Sequence, residues 1–207
     1  MIRIVIFFTL FFSAFCSEAR TATEFFTTAP DSVVRLLPQS TRLDMVDYFN
    51  YGSKRASQNY FGGDARITSI GDALVSLDVD SDVAMQMAVI SAKSDTVLAV
   101  VTTLSLPSRD SSVKFYATDW KPLKKAPFSF PDYASWLTAD GARNQGDIEL
   151  FMPFIPVYAS FNDDATELIL QNKADEYLDK TTYEELAPLM TGEKVYSTSP
   201  AKFFLKR

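Results

Sequence analysis

The sequence predicts an α+β fold, in which short N-terminal helices pack on one face of a mostly antiparallel sheet in a two-layer single domain. Apolar residues recur at helical spacing in the first third of the chain. From residue 73 onward they alternate with polar residues, which is typical of half-buried strands. We expect residues 20–207 to form this one domain, because no linker, low-complexity run or internal repeat interrupts them.

Residues 1–19 have the pattern of a cleaved secretory signal peptide. Arg3 supplies a positive charge, residues 4–15 form a nearly unbroken apolar run, and Ser17 and Ala19 place small residues at a cleavage site. The alternative is an N-terminal membrane anchor, but the run is shorter than the ~20 residues that a membrane span needs. We therefore predict no membrane span and a periplasmic or secreted location.

Cys16 is the only cysteine in the chain. A bacterial lipoprotein is cut just before such a cysteine and acylated there, but that processing requires a small residue where this chain has Phe15. We therefore do not expect a lipid anchor on Cys16. Signal cleavage after Ala19 leaves no cysteine, so the mature domain must be stabilised by core burial alone, and about 190 residues suffice for that.

Helical segments are predicted before the first strand. Thr21 and Glu24 have the spacing of a capping box, which starts the first helix. A second short helix is expected over residues 31–37 and a third from about residue 40 to the glycine at position 52. Residues 54–61 are interpreted as an extension of this helical region.

The strands follow from the alternation of apolar and polar residues. Residues 73–80 and 83–89 predict a hairpin, with a three-residue loop of Asp80, Ser81 and Asp82 that lets both strands face one core. Further elements are predicted as a central strand at residues 97–104, which is apolar on both faces, strands at 113–118, 156–161, 166–171 and 195–205, a short helix around Trp136, and a helix over 181–192.

Three acidic residues, Asp78, Asp80 and Asp82, resemble the beginning of a calcium-binding loop. An EF-hand loop that began at Asp78 would need glycine at position 6 and glutamate at position 12, where this chain has Val83 and Val89. We interpret the three carboxylates as the acidic rim of a hairpin, with a weak surface cation site as the alternative.

The composition excludes several classes of function. The chain has no histidine, so it lacks histidine-based catalysis and histidine metal ligands. It contains no phosphate-binding loop and no dinucleotide-binding turn, and we expect no cofactor. Its net charge of −6 and scattered lysine and arginine residues argue against nucleic-acid binding. Two S-x-x-K matches, at Ser111 and Ser199, lack the accompanying K-T-G triad of penicillin-binding enzymes.

The sequence offers two weak candidate sites. Tyr116, Asp119 and Trp120 could form an exposed surface for a ligand or a protein partner, unless Trp120 instead covers the core at the end of a strand. Asp147 and Glu149 would share one face of a predicted strand, and paired carboxylates are the catalytic groups of glycosidases.

Several segments resemble a known protein family. They are residues 29–32 (APDS), 42–48 (RLDMVDY), 59–63 (NYFGG), 101–103 (VTT) and, most distinctively, 115–123 (FYATDWKPL). The chain is similar here to an uncharacterised exported-protein family of anaerobic Gram-negative bacteria, a domain of unknown function. The resemblance implies export and a single domain, and it assigns no catalytic or binding residue.

These observations favour an exported, periplasmic, non-enzymatic binding or interaction module, whose partner we expect to be another envelope protein. The main reason is the lack of most catalytic residue types in a chain with a signal peptide. The alternative is a carboxylate-dependent hydrolase that acts on glycans of the cell envelope.

Overall fold

The structure, a computed structural model, describes residues 20–92 and 95–206. Two N-terminal helices pack on a six-stranded antiparallel sheet, and a four-stranded antiparallel sheet packs on the opposite face. The predicted α+β class, with N-terminal helices on an antiparallel sheet, is confirmed, and the second sheet adds a further layer. The predictions for residues 1–19, including Cys16, lie outside the described residues.

The helices and strands run in chain order as α1 (Ala22–Thr28), α2 (Gln39–Asn50), β1 (Ser57–Gln58), β2 (Asp64–Ile70), β3 (Leu74–Asp80), β4 (Val83–Ala92), β5 (Asp95–Leu104), β6 (Asp110–Tyr116), α3 (Ala139–Arg143), α4 (Gln145–Phe151), β7 (Val157–Phe161), β8 (Glu167–Asn172), α5 (Ala174–Tyr177), α6 (Lys180–Leu186), β9 (Glu193–Ser197) and β10 (Phe204–Leu205). Single 3₁₀ turns occupy Ala134–Trp136 and Ala187–Leu189.

Helix α1 begins with the predicted capping box. The Glu24 backbone N–H donates to Thr21 Oγ1 at 3.2 Å, and the Thr21 backbone N–H donates to Glu24 Oε2 at 2.9 Å. Phe25 and Phe26 follow and are buried against the six-stranded sheet. This local signal was sufficient because the cap satisfies two backbone donors that the helix itself leaves unpaired.

The predicted second helix does not form. Residues 31–37 make a series of turns, in which the backbone N–H groups of Val33 and Val34 donate to the carbonyl of Pro30 at 2.9 and 3.2 Å. Pro38 disfavours the helical conformation of the residue before it, so the segment ends in turns instead of a continuous helix.

Helix α2 is confirmed, and the glycine at position 52 that follows it has a φ of +65°. The predicted helical extension over residues 54–61 is wrong, because this stretch contains β1 and a tight turn. The turn is built by Asn59, whose Oδ1 accepts hydrogen bonds from the backbone N–H groups of Phe61 and Gly63 at 2.9 and 3.0 Å. Asparagine commonly stabilises turns in this way.

The six-stranded sheet is an antiparallel meander in the order β1-β2-β3-β4-β5-β6. The central strand predicted at residues 97–104 is β5, which is buried on both faces. The β3–β4 hairpin is also confirmed, but Asp80 pairs with Val83, so its loop has two residues rather than three. A bulge between Asp78 and Asp80 accommodates the one-residue change in loop length and keeps Val79 buried in the core.

The four-stranded sheet has the order β10-β9-β8-β7, so β7 has one unpaired edge. Side chains of the six-stranded sheet accept hydrogen bonds from this edge in place of a neighbouring strand. The three bonds run from Val157 N–H to Asp110 Oδ1 (3.0 Å), from Ala159 N–H to Ser111 Oγ (3.0 Å) and from Phe161 N–H to Gln86 Oε1 (2.9 Å). They close an edge that would otherwise invite pairing with another chain.

Three hydrophobic clusters hold these layers together. One lies between the N-terminal helices and the first sheet, and includes Phe26 and Leu77. A second lies between the two sheets, and includes Val101 and Leu168. A smaller third cluster around Ile148 packs the short helices α3 to α6. Among the residues that the structure describes, no helix is long and apolar enough to cross a membrane.

Candidate functional site

The three candidate surface residues lie at the end of β6 and in the turn that follows it. Tyr116 is only 9% exposed, and its ring meets the half-buried ring of Trp120 edge-on, with centroids 5.6 Å apart. The Trp120 ring also packs against the ring of Phe25 in α1, with centroids 6.3 Å apart. Asp119 points to solvent and accepts a hydrogen bond from Lys121 Nζ at 2.6 Å. The two aromatic rings therefore pack against the helix-side core, while Asp119 stays outside it; their joint role as a binding surface stays a prediction.

Trp120 has two unusual features. Its φ is +66°, in the left-handed region that residues other than glycine rarely adopt. Its Nε1 is buried, with no hydrogen-bond partner among the described residues. The turn holds this conformation through two backbone hydrogen bonds between Ala117 and residues 120 and 121, each 2.9 Å long. Strain of this kind persists only where the surrounding structure enforces it.

The structure does not support a carboxylate pair at Asp147 and Glu149. The predicted strand is wrong, because both residues lie in helix α4 and both side chains are exposed. Residues two apart on a helix do not face each other, so they cannot flank one substrate bond from a shared face. Glu149 instead accepts a hydrogen bond from Gln145 at 2.6 Å, one helical turn away.

Ser111, the first residue of one S-x-x-K match, has a structural role. Its Oγ accepts the β7 hydrogen bond from Ala159 and lies 2.8 Å from Thr103 Oγ1. Both hydrogen bonds engage the hydroxyl within the protein. A nucleophilic serine would need that hydroxyl to be available to a substrate. Within residues 20–92 and 95–206, no group of three or more acidic side chains is arranged to hold a metal ion.

A pocket of about 200 Å³ lies between residues 31–37 and the helix-side face of the six-stranded sheet. We call residues 31–37 the roof segment and the space beneath it the roofed pocket. From the roof segment, the pocket is lined by Ser32, Val33, Val34, Arg35 and Leu36. From the sheet, it is lined by Val79, Val83, Met85, Val100 and Thr102, with Lys114 and Tyr116 on the last strand.

The interior of the roofed pocket is apolar. Val79, Met85 and Val100 come from three adjacent strands and are at least nine-tenths buried. They lie on the face of the sheet that α1 and α2 cover elsewhere. At this place the roof segment takes the position of a helix, and its irregular backbone leaves space above the strands. A concave apolar surface with a few polar groups is the usual form of a small-ligand site.

The charged residues that line the pocket are both cationic. Arg35 and Lys114 are the two charged residues of its lining, and both side chains belong to exposed residues. Lys114 lies directly opposite Val100 across the β5–β6 pair, so its aliphatic stem continues the apolar wall. Burial raises the pKa of the Tyr116 hydroxyl, and the nearby Arg35 charge partly opposes this effect.

Arg42 of α2 attaches the roof segment to the rest of the molecule. Its guanidinium is 1% exposed and donates to the carbonyls of Ala29 and Leu37, at 2.6 and 3.1 Å. It also lies 3.4 Å from the carboxylate of Asp31. Burial lowers the pKa of Arg42, and the charge of Asp31 opposes that shift. One side chain thus contacts Ala29, just before the roof segment, and both of the segment's end residues, and it fixes the segment's position.

Sequence reasoning identified Tyr116 but missed the other parts of this pocket. The sequence predicts a helix over residues 31–37, whereas the structure has turns there with space beneath them. The available signal was Pro38, which disfavours a helical conformation at the residue before it.

Comparisons with known proteins extend the description of the fold. A family model described as "Protein of unknown function (DUF3256)" matches residues 14–203. No curated protein matches the chain. A solved structure, described as a domain of an uncharacterized protein from Porphyromonas gingivalis W83, is similar with a TM-score of 0.74 and 20% identity, covering 91% of this chain and 100% of that one. At that identity the similarity shows a shared fold alone.

The resemblance seen in the sequence to a domain of unknown function is confirmed at the level of the family. The matched residues 14–203 span nearly the whole chain and include the Tyr116–Trp120 turn and the roof segment. The chain therefore belongs to the family described as "Protein of unknown function (DUF3256)".

Proposed function

We propose that this protein is an exported, non-enzymatic binding module that holds a small ligand in the roofed pocket. The observation that carries the proposal is the pocket itself, a concavity of about 200 Å³ with an apolar floor and polar groups around it, under a segment without regular secondary structure. Arg42 and the buried side chains of Val34 and Leu37 hold this segment over the sheet, so the space beneath it is formed before a ligand binds.

The chemistry of the lining supports binding rather than catalysis. The pocket contains hydroxyl groups, from Ser32, Thr102 and Tyr116, together with two cations. No carboxylate belongs to the lining, so the pocket offers no acidic group to act as a general base next to a bound substrate. Asp147 and Glu149, the carboxylates on which the hydrolase alternative rests, are not part of the pocket lining.

The first 19 residues support export. Their charge, apolar run and small-residue end are the features that a signal peptidase recognises. We accordingly place the mature protein in the periplasm or outside the cell. The expected result is a mature chain that begins at Arg20 in the periplasmic or secreted fraction; a chain that keeps Met1 in the cytoplasmic fraction would contradict this placement.

A protein partner from the envelope is the second candidate for what the module binds. Tyr51 and Phe61 are 87% and 83% exposed, and both belong to the stretch between α2 and β2. Exposed aromatic side chains are enriched where proteins contact one another. Crosslinking in native envelope should then recover one stoichiometric partner, and replacing both residues by serine should abolish that recovery; an unchanged yield would exclude this surface.

Binding in the pocket is tested with an uncharged aliphatic probe short enough to fit it, octanol, by isothermal titration calorimetry. Thr102 lines the pocket on β5, so Thr102→Phe fills it, whereas the same change at exposed Thr68 on β2 adds a ring elsewhere. We expect saturable binding of the probe to the wild type and to Thr68→Phe, and at least a tenfold weaker affinity for Thr102→Phe. Equal binding by all three folded proteins would overturn the proposal.

A further inference from the structure

The roofed pocket separates an apolar floor from a cationic rim. Val79, Met85 and Val100 form the floor, whereas the positive charges of Arg35 and Lys114 lie on exposed residues of the roof segment and of β6. A ligand that fits this arrangement needs an apolar part inside and a negative charge outside. The chain as a whole carries a net charge of −6, whereas both charged residues of the pocket lining are cationic.

Neither cation is neutralised by the protein within residues 20–92 and 95–206. No acidic side chain there lies within salt-bridge distance of Arg35 or Lys114. The Nε of Arg35 donates to the carbonyl of Ser32 at 3.4 Å, which leaves the terminal nitrogens of the guanidinium for another acceptor. A planar guanidinium binds the two oxygens of a carboxylate with two parallel hydrogen bonds.

The size of the pocket limits the apolar part of the ligand. Its volume of about 200 Å³ is below the ~300–1,000 Å³ that is typical of pockets for drug-sized molecules. One short aliphatic chain fills such a space. The pocket also lacks the glycine-rich loop of backbone N–H groups that usually surrounds a phosphate, since none of its lining residues is glycine.

We propose that the ligand of the roofed pocket is a short-chain aliphatic carboxylate. Its chain lies against Val79, Met85 and Val100, and its carboxylate accepts hydrogen bonds from Arg35 and Lys114 at the rim. The hydroxyl of Tyr116, which also lines the pocket, is a further donor to the carboxylate. This inference rests on the proposed function, because it names the ligand class of the same pocket.

The test compares ligands that share one chain and differ in charge. Octanoate, octanol and octylamine are titrated into the mature protein by isothermal titration calorimetry at neutral pH. We expect octanoate to bind at least tenfold more tightly than octanol, and octylamine to bind most weakly. Affinity should also rise about fourfold per methylene group from butyrate upward, and then stop rising once the chain is longer than the pocket.

Variants that remove one positive charge test whether Arg35 and Lys114 cause the preference for octanoate. In Arg35→Gln and Lys114→Gln, the affinity for octanoate should fall towards that for octanol, and by a larger factor than the affinity for octanol falls. Lys125→Gln is the control, since this exposed lysine is not part of the lining. A loss of octanoate binding in Lys125→Gln of equal size would overturn the assignment.

The outcomes separate this inference from the proposed function. If octanol binds in the pocket but octanoate has no advantage, the carboxylate inference is wrong and the binding module stands. If octyl phosphate binds more tightly than octanoate, the ligand class is wrong. If none of these probes binds, both proposals are wrong.

Discussion

Arg42 is the residue on which the position of the roof segment depends most. Its guanidinium donates hydrogen bonds to the backbone carbonyls of Ala29 and Leu37, to which the surrounding turns supply no backbone donor. Its burial makes these bonds strong, because little water competes for the donors or the acceptors. A local change at this one side chain should therefore affect both stability and the pocket.

We predict that Arg42→Met lowers the free energy of unfolding by about 2–4 kcal/mol, because two buried carbonyls lose their donor. The measurement is urea denaturation followed by fluorescence. Arg143→Met removes an exposed arginine that pairs with Asp140 on the same helix, and it should change stability by less than about 0.5 kcal/mol. Equal stability of Arg42→Met and the wild type would contradict the anchoring role.

Glu176 joins the start of β6 to helix α5. Its carboxylate accepts hydrogen bonds from the backbone N–H and the Nε of Arg109, at 3.0 and 2.9 Å, and lies 3.0 Å from Lys173 Nζ. The hydrogen bonds from the Arg109 side chain lower the pKa of Glu176 from its ordinary 4.5 to about 2. Because the folded state favours the ionised carboxylate, this interaction stabilises the protein above pH 4.5 and is lost as the pH falls towards 2.

We predict that Glu176→Gln lowers the free energy of unfolding at pH 7 by about 1 kcal/mol, a modest effect because solvent screens this partly exposed pair. The difference from the wild type should narrow as the pH is lowered from 5 to 3, as measured by urea denaturation at each pH. Glu185→Gln, at an exposed glutamate of α6, serves as the control and should show no such convergence. A constant difference across this range would disprove the linkage.

Among the elements, strand β7 shows how the two sheets are joined. Its unpaired edge is covered by side chains of β4 and β6, so the four-stranded sheet is held by directed hydrogen bonds as well as by the apolar cluster between the sheets. Gln86 has a double role, since its Nε2 also donates to Ser76 Oγ at 3.1 Å.

We predict that Gln86→Leu lowers the free energy of unfolding by about 1–3 kcal/mol, because the Phe161 N–H is left without its acceptor. Hydrogen exchange should be faster at the Phe161 amide than in the wild type, which gives a local readout. Gln58→Leu makes the same change at an exposed position of β1 and should leave that amide unaffected. Unchanged exchange at Phe161 in Gln86→Leu would refute the role of this bond.

The elements differ in how well the sequence predicts them. The α1 capping box and the β3–β4 hairpin depend on contacts between residues close in the chain, so local patterns were sufficient. Strand β2 was missed because its buried side chains, Ala65 and Ile67, give only a weak alternation. Helix α6 begins one residue before the predicted start at residue 181, since the Asp179 carboxylate caps it by accepting from the backbone N–H groups of Thr181 and Thr182.

At the scale of the whole molecule, the number of layers was beyond local patterns. Alternation states which side chains of a strand are buried, but it does not state whether a helix or a second sheet covers them. The pocket was unpredictable for a related reason, since it exists only where the roof segment meets four strands. Tyr116 is a candidate binding residue from the sequence because it belongs to a cluster of aromatic residues. Arg35 and Lys114 are far apart in the chain, and only the fold brings both to the same pocket.

The central claim is that the roofed pocket is the ligand site of this binding module. Methyl NMR during a titration with octanoate tests it most directly, because the pocket is lined by methyl-bearing side chains whose signals report separately. The account predicts saturable shifts of the Met85, Val79 and Val100 methyl groups, with the signals of Ile148 in the distant helical cluster unchanged. Shifts that are largest outside the pocket lining, or that do not saturate, would contradict the claim.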